Sequence, residues 1–209
     1  SDTNYTDIKG LSNEVIEKLN KHQPSTLGQA SRLEGITPAA TNLIAITIKK
    51  KQLLEKHNQN KKQHNKELIK AFVEEILSFN KAHNIVGRFT EEEINLLDVT
   101  DCESILTHIP PAKKILDIGS GAGLPGIIIA IHHPQIEVTM SEKNKKKAYF
   151  IKKIIRTLKL TNAYILDEAV TPKLITSNKF DIVTARALAP APKIIEMSKH
   201  LLSKDGKFL

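Results

Sequence analysis

The run Leu116-Asp117-Ile118-Gly119-Ser120-Gly121-Ala122-Gly123-Leu124-Pro125-Gly126 constrains the fold more than any other part of this chain. An apolar stretch, Lys114 to Ile118, leads into it, and an apolar helix, Leu124 to Ile131, is predicted to leave it. Glycines at such a bend let the backbone turn sharply and approach a ligand closely. Downstream the alternation repeats. Strands are predicted at Ile136 to Ser141, Ala163 to Leu166 and Asp181 to Ala185, with a fifth starting at Gly206 after a turn at Lys204-Asp205-Gly206. Helices carry Ile151, Ile154, Ile155 and Leu158 on one face, and run from Ile194 to Leu202. Repeated strand–helix units predict an α/β fold with a parallel, doubly wound, Rossmann-like sheet.

The loop also fits G-x-G-x-x-G at Gly121, Gly123 and Gly126, so a dinucleotide competes as its ligand. Two features oppose it. Asp117, two residues before the first glycine, would repel a pyrophosphate and suits an ammonium or sulfonium. Pro125 removes an amide N–H from the helix start, where a pyrophosphate needs donors. Glu142 ends the second strand, near the ≈ 20-residue spacing of a ribose-binding carboxylate. Together these favour S-adenosylmethionine over NAD as the cofactor, with Asp117, Gly121, Gly123 and Glu142 around it. No metal site is expected.

A methyl donor raises the question of acceptor. Methylation of cytosine C5 needs a Cys nucleophile. The single Cys102 lies upstream of the sheet and reads as a buried small hydrophobe. Exocyclic-amine enzymes carry an Asn/Asp-Pro-Pro-aromatic cluster after the fourth strand, and this chain has Thr184-Ala185-Arg186-Ala187-Leu188 there. Guanine N7 offers a free lone pair and needs no general base, so in-line positioning alone can serve it. No catalytic side chain is therefore assigned. Arg186, at the strand's C-terminal edge, is placed to hold a cofactor carboxylate, a phosphate or a guanine edge.

Net charge of +8 points to a polyanionic partner. Lys143, Lys145, Lys146, Lys147 and Arg156 crowd the second helix of the sheet domain and its entry loop, and read as an RNA phosphate track. Lys152, Lys153 and Lys159 serve equally well as a solvated face. Aromatics are only 4% and Trp is absent, so base-stacking platforms are scarce. With no membrane-length apolar run and no paired cysteines, a soluble cytoplasmic protein is expected, with no membrane partner.

Upstream, residues 12–50 read as a helical unit. Val15, Ile16 and Leu19 follow a Ser12 cap, Pro24 interrupts, Thr26 to Leu33 is short, and Thr37-Pro38 opens another helix. That helix carries Leu43, Ile44, Ile46 and Ile48 and must bury its apolar surface. It is too apolar for a groove-reading DNA element. Lysine-rich residues 49–66 read as a solvated linker or an exposed helix, and Leu68, Ile69, Phe72, Val73, Ile76 and Leu77 as an amphipathic helix ending near Asn80 to Asn84. The expected division is a helical module at 1–52, a basic linker at 53–62 and a methyltransferase domain at 63–209. The start without Met and the strand opening at Lys207-Phe208-Leu209 read as cut ends, with more sheet expected beyond.

Several segments together resemble the RsmG (GidB) family of 16S rRNA guanine-N7 methyltransferases: Phe79-Asn80-Lys81-Ala82-His83-Asn84-Ile85, the glycine run ending Gly-Leu-Pro-Gly, Lys146-Lys147-Ala148-Tyr149-Phe150-Ile151, and Phe180-Asp181-Ile182-Val183-Thr184-Ala185-Arg186-Ala187-Leu188-Ala189. The resemblance implies methylation of 16S rRNA in the small ribosomal subunit, and cofactor contact at Gly119, Leu124, Val170, Thr171 and Arg186. Two stretches depart from the family. Val99-Thr100-Asp101-Cys102-Glu103-Ser104 replaces Arg-His-Ile-x-Asp-Ser, and Glu168-Ala169-Val170-Thr171 replaces Ser-Arg-x-Glu. Residues 8–50, with Gly10-Leu11-Ser12-Asn13-Glu14 and Thr26-Leu27-Gly28-Gln29-Ala30-Ser31-Arg32-Leu33, resemble the C-terminal helical end of the MnmG (GidA) family of tRNA-modifying flavoenzymes. That implies a docking module for tRNA or a protein partner. The alternative is a catalytically impaired RNA- or protein-binding fusion of the two pieces.

Overall fold

The computed structural model describes residues 4–174, 176 and 178–209. The chain divides into two compact units, Ser1–Gln63 and His64–Leu209. In the first, α1 (Asn13–His22) starts at Ser12, whose hydroxyl accepts from the Val15 amide, and α2 (Leu27–Ala30) starts at Thr26, which accepts from Gln29. Tyr5, Ile8, Val15, Leu19, Ala30, Ile36, Ala40 and Ile44 form its core.

The helix α3 (Pro38–His83) opens at Thr37, whose hydroxyl accepts from the Ala40 amide, and runs without a break. Residues 53–62, expected as a solvated linker or an exposed helix, are helical and exposed within it. Lys, Gln and Glu are good helix formers and need no core to remain helical in so long an element. Ile44 is buried, yet Ile46 is 65% exposed, so the apolar surface expected to be covered is covered on one side only. Two positions along a helix turn a side chain through roughly 200°. Farther on, Ile69, Phe72, Val73 and Ile76 are buried, the amphipathic stripe anticipated from the sequence. Among the described residues no helix is long and apolar enough to cross a membrane.

Between α3 and the sheet, residues 91–108 form a run of helical turns: α4 (Glu91–Glu93), a π-helical stretch Ile94–Val99, α5 (Thr100–Ser104) and a 3-10 turn Ile105–His108. The sequence signal for its start is Thr90-x-x-Glu93, which forms a reciprocal capping box.

The sheet has five parallel strands: β1 (Lys114–Ile118), β2 (Glu137–Ser141), β3 (Ala163–Leu166), β4 (Phe180–Thr184) and β5 (Leu202–Phe208), in the order β3-β2-β1-β4-β5. Helices α6 (Gly126–His132), α7 (Lys145–Thr157) and α8 (Ala191–Ser198) connect them. The Rossmann-like expectation is met. Boundaries differ by a residue at β2 and β4, the helix expected from Ile194 to Leu202 runs from Ala191 to Ser198, and β5 begins at Leu202 instead of Gly206. Phe180 pairs with Leu202 and Ile182 with Lys207, so Lys204-Asp205-Gly206, expected as a turn, lies in a register irregularity inside the strand. The order reverses beside β1, which places a crevice at the C-terminal ends of β1 and β4.

Asn162 ties the β3 entry to α6 and β2. It is buried, and its Nδ2 lies 3.1, 3.1 and 2.9 Å from the carbonyls of Ala130, His133 and Ile136. Replacing Asn162 with Ala takes this donor from the Ala130 and Ile136 carbonyls, while the His133 carbonyl keeps the Ile136 amide. We expect a loss of about 2–3 kcal/mol in unfolding free energy, measurable by urea denaturation.

Candidate functional site

The glycine loop is fixed by hydrogen bonds from both directions. The Gly119 and Ser120 amides donate to the Ser141 carbonyl at 2.8 and 3.1 Å. Gly121 N donates to Glu142 Oε2 at 2.9 Å, and Glu142 Oε1 accepts from Asn144 N at 2.7 Å. Gly126 N donates to Asp117 Oδ2 at 3.0 Å. Two glycines are favoured here for different reasons, backbone conformation at Gly119 and space at Gly126. Gly119 has φ +69°, and a Cβ there would approach Leu188 Cδ1 to 2.8 Å. A Cβ on Gly126 would collide with Met140 and come within 2.9 Å of Asp117 Oδ2.

Beside the loop lies a cavity of about 740 Å³. Of the residues singled out from the sequence, Gly119, Gly121, Leu124, Glu142, Val170 and Arg186 line it, as do Lys143 and Lys147. Gly123 lies in the loop but not on the wall, where its place is taken by Gly121 and Ala122. Thr171 is exposed next to Val170 and is not on the wall. Lys145, Lys146 and Arg156 are exposed outside the cavity. Lys145 faces Asp167, at 3.6 Å.

Asp117 differs from the expectation of direct ligand contact. It is fully buried and off the cavity wall, because it is the fourth residue of a strand in the middle of the sheet. Its Oδ1 has no hydrogen-bond partner. Burial raises its pKa from 3.8 to about 6, against the lowering influence of Ser120 and the Gly126 amide. In this structure Asp117 holds the start of α6 to β1. Glu142 retains capacity for a ligand, since a carboxylate offers about four lone-pair positions and the two amides take one each.

Arg186 is also engaged by the protein. Its Nη1 donates to Asp98 Oδ1 at 3.0 Å and to Asp101 Oδ2 at 3.3 Å. Arg88 Nε sits 3.9 Å from Asp98 Oδ2, buried and without a hydrogen-bond partner. Arg88, Asp98 and Asp101 all line the cavity. Nothing in the hydrophobic periodicity marks them, since they belong to the segment between α3 and β1. Their rim is shaped by Asn80, which is buried, accepts from Val86 N and donates to the Arg88 carbonyl. Cys102, as expected, is buried, and burial pushes its thiol up to about 12, so it is no nucleophile at neutral pH.

The phosphate reading finds little support in this geometry. The Gly121 and Gly126 amides, which a pyrophosphate would use, are taken by carboxylates. The wall mixes acids (Glu142, Asp98, Asp101) with cations (Arg88, Lys143, Lys147, Arg186) and apolar side chains (Ile85, Leu124, Val170, Leu188). Such a wall suits a ligand with an apolar flat ring, a diol and a zwitterionic tail.

A stability measurement reads the state of Asp117. Its folded pKa lies above its unfolded value, so between 3.8 and about 6 the folded state binds the extra proton. This group therefore favours folding at low pH and loses that contribution as pH rises through the same interval. Asp117→Asn removes the titration. The stability of the variant relative to wild type should increase by about 3 kcal/mol across that window, measured by urea denaturation at a series of pH values. A constant difference would contradict a raised pKa.

Residues 65–209 match the family model described as rRNA small subunit methyltransferase G, GidB. Residues 1–71 match the C-terminal helical bundle of the tRNA modifying enzyme MnmG/GidA. Among curated relatives, the ribosomal RNA small subunit methyltransferase G of Nitrosomonas eutropha is 37% identical over 134 residues, covering 64% of this chain and 62% of that protein. The protein of the same name from Chromobacterium violaceum is 29% identical over 146 residues, covering 68% of each chain. The chain thus spans about two thirds of the length of these relatives. A solved SAM-dependent methyltransferase from Thiobacillus denitrificans, in complex with S-adenosyl-L-homocysteine, aligns with a TM-score of 0.44 at 16% identity, over 62% of this chain and 51% of that one. From Asn65 to Leu209, with its glycine loop and β3-β2-β1-β4-β5 sheet, the chain belongs to the GidB family, that of rRNA small subunit methyltransferase G.

Proposed function

We propose that residues 63–209 form an S-adenosylmethionine-dependent methyltransferase domain acting on guanine N7 of 16S rRNA in the small ribosomal subunit, in the cytoplasm. The observation that carries this reading is the cavity at the C-terminal edge of β1 and β4, where Glu142 faces the glycine loop and the Gly121 and Gly126 amides are already committed to carboxylates. When bound, S-adenosylmethionine supplies a methyl group on a sulfonium. Glu142 is the candidate acceptor for its ribose hydroxyls. Leu124 and Val170, together with Gly119 and Gly121, would enclose the nucleoside. Arg186, Asp98 and Asp101 form a charge set able to meet a carboxylate and an ammonium. Lys143 and Lys147 stand on the same wall as candidate contacts to the RNA backbone, with Lys145, Lys146 and Arg156 outside it. Guanine N7 specificity is supported by the family resemblance and by a site that assigns no general base.

Residues 1–52 are read as a separate helical module docking tRNA or a protein partner, supported by the MnmG C-terminal match. The second reading, a catalytically impaired RNA- or protein-binding fusion, is favoured by one observation: Arg186 is held by two aspartates of this chain.

Calorimetric titration with S-adenosylmethionine separates these readings from a ligand-free fold. One site per chain is expected, and Glu142→Ala should weaken it at least about tenfold, the equivalent of one lost charged hydrogen bond. Transfer of labelled methyl to small subunits lacking the modification, with 7-methylguanosine in the nuclease digest, is the expected outcome for the enzyme. Cofactor binding without transfer would instead support the impaired fusion.

A further inference from the structure

An aromatic chain runs from the core of the sheet unit to its surface. Phe72 stacks near Phe150 with ring centroids 6.5 Å apart, Phe150 lies 5.0 Å from Phe79, and Phe79 lies 6.3 Å from Tyr149 and 4.4 Å from His83. Phe72 and Phe150 are fully buried, whereas Tyr149 is 57% exposed and His83 is exposed. Tyr149 therefore presents ring surface to solvent beside the Phe79 ring, a contact that limits the freedom it has to lose when something stacks on it.

Its surroundings point to an anion that carries flat rings. On α7 the positions one turn away from Tyr149 on either side are all lysines. Lys145 and Lys152 pair with Asp167, and Lys153 pairs with Glu75 at 2.6 Å. Lys146 is exposed and makes no ion pair among the described residues. Asn144 accepts from the Lys146 and Lys147 amides, which fixes this end of the helix against the cavity that Asn144 and Lys147 line. On the other side, His83 ends α3 two residues before Ile85, which lines the same cavity. Tyr149 and His83 are each two residues from a lining residue, Lys147 and Ile85.

We propose that Tyr149, backed by Phe79 and bordered by Lys146, is a stacking site for an unpaired base of the RNA substrate next to the methylation cavity. The proposal rests on the methyltransferase reading of that cavity and adds a substrate-binding residue to it. Tyr149 gives the base a π-face and Lys146 takes the neighbouring phosphate. An A-form duplex keeps its bases stacked inside, so the site favours single strands, loops and bulges.

The test is fluorescence anisotropy of the full chain with a labelled single-stranded RNA of about 12 nucleotides and a duplex of the same length. Single-strand binding should exceed duplex binding. Tyr149→Ala should weaken single-strand binding about 5- to 100-fold, and Tyr149→Phe should match wild type. Tyr149→Leu keeps apolar packing on Phe79 but has no π-face, so it should behave as the alanine variant. Lys146→Ala should weaken binding less and flatten its salt dependence. S-adenosylmethionine affinity should be unchanged in all four variants, which certifies the fold. If wild type binds RNA and the alanine variant binds equally well, or leucine restores binding, the stacking site is overturned while the enzymatic reading stands. If wild type binds no single-stranded RNA, the stacking site falls, and methyl transfer to small subunits decides the RNA substrate separately.

Discussion

Two carboxylates accepting from backbone amides hold the functional end of this molecule together. Asp117 accepts from Gly126 and Glu142 from Gly121, so the two ends of the glycine loop are each fixed by an acid projecting from a strand end. A charged acceptor makes a shorter and stronger bond than a neutral one, and burial strengthens it further. The cost falls on Asp117, whose second oxygen has no partner and whose pKa is raised by burial. The positive end of α6, which in other nucleotide-binding folds faces a phosphate, faces the Asp117 carboxylate here. The chemical selectivity of the cavity follows from that exchange: anionic ligands lose their donors, and ligands with hydroxyls or cationic groups find acids.

The second organising feature is the segment between α3 and β1. Asn80 holds its entry by two hydrogen bonds to Val86 and Arg88, and the capping box at Thr90 and Glu93 starts its helical run. That run delivers Asp98 and Asp101 to Arg186 across the cavity. Asp98 is nearly buried, so its interaction with arginine has more weight than an exposed pair, and it fixes the position of the β4 edge relative to the wall opposite. A ligand group entering there competes with an existing ion pair instead of meeting a free guanidinium. The lysines of α7 and its entry loop are similarly divided, with Lys145, Lys152 and Lys153 paired with acids and Lys143, Lys146 and Lys147 in no ion pair among the described residues.

Much of this architecture is legible from local pattern. Strand positions β1 and β3, the turn chemistry of the loop, and the caps at Ser12 and Thr37 follow from side-chain alternation, glycine spacing and hydroxyl placement. These depend on neighbours within a few residues, where backbone stereochemistry rules. The start of β5 and the exposure of Ile46 are less legible, because partner strands and packing decide them. Lys204-Asp205-Gly206 looks like a turn by composition, but pairing on both sides draws it into the edge strand as an irregularity.

By itself, then, the sequence determined the alternating strand–helix order, the glycine bend and the acids at its flanks, because each is written in contiguous residues. The tertiary structure alone decided that Glu142 reaches the cavity while Asp117 turns into the core, that Arg186 meets two aspartates more than eighty positions earlier in the chain, and that Tyr149 is braced by Phe79. Those outcomes depend on which strand lies beside which and on how far each side chain sits below the sheet edge. Contacts across such sequence distances are set by close packing of the assembled elements, and no local pattern encodes them.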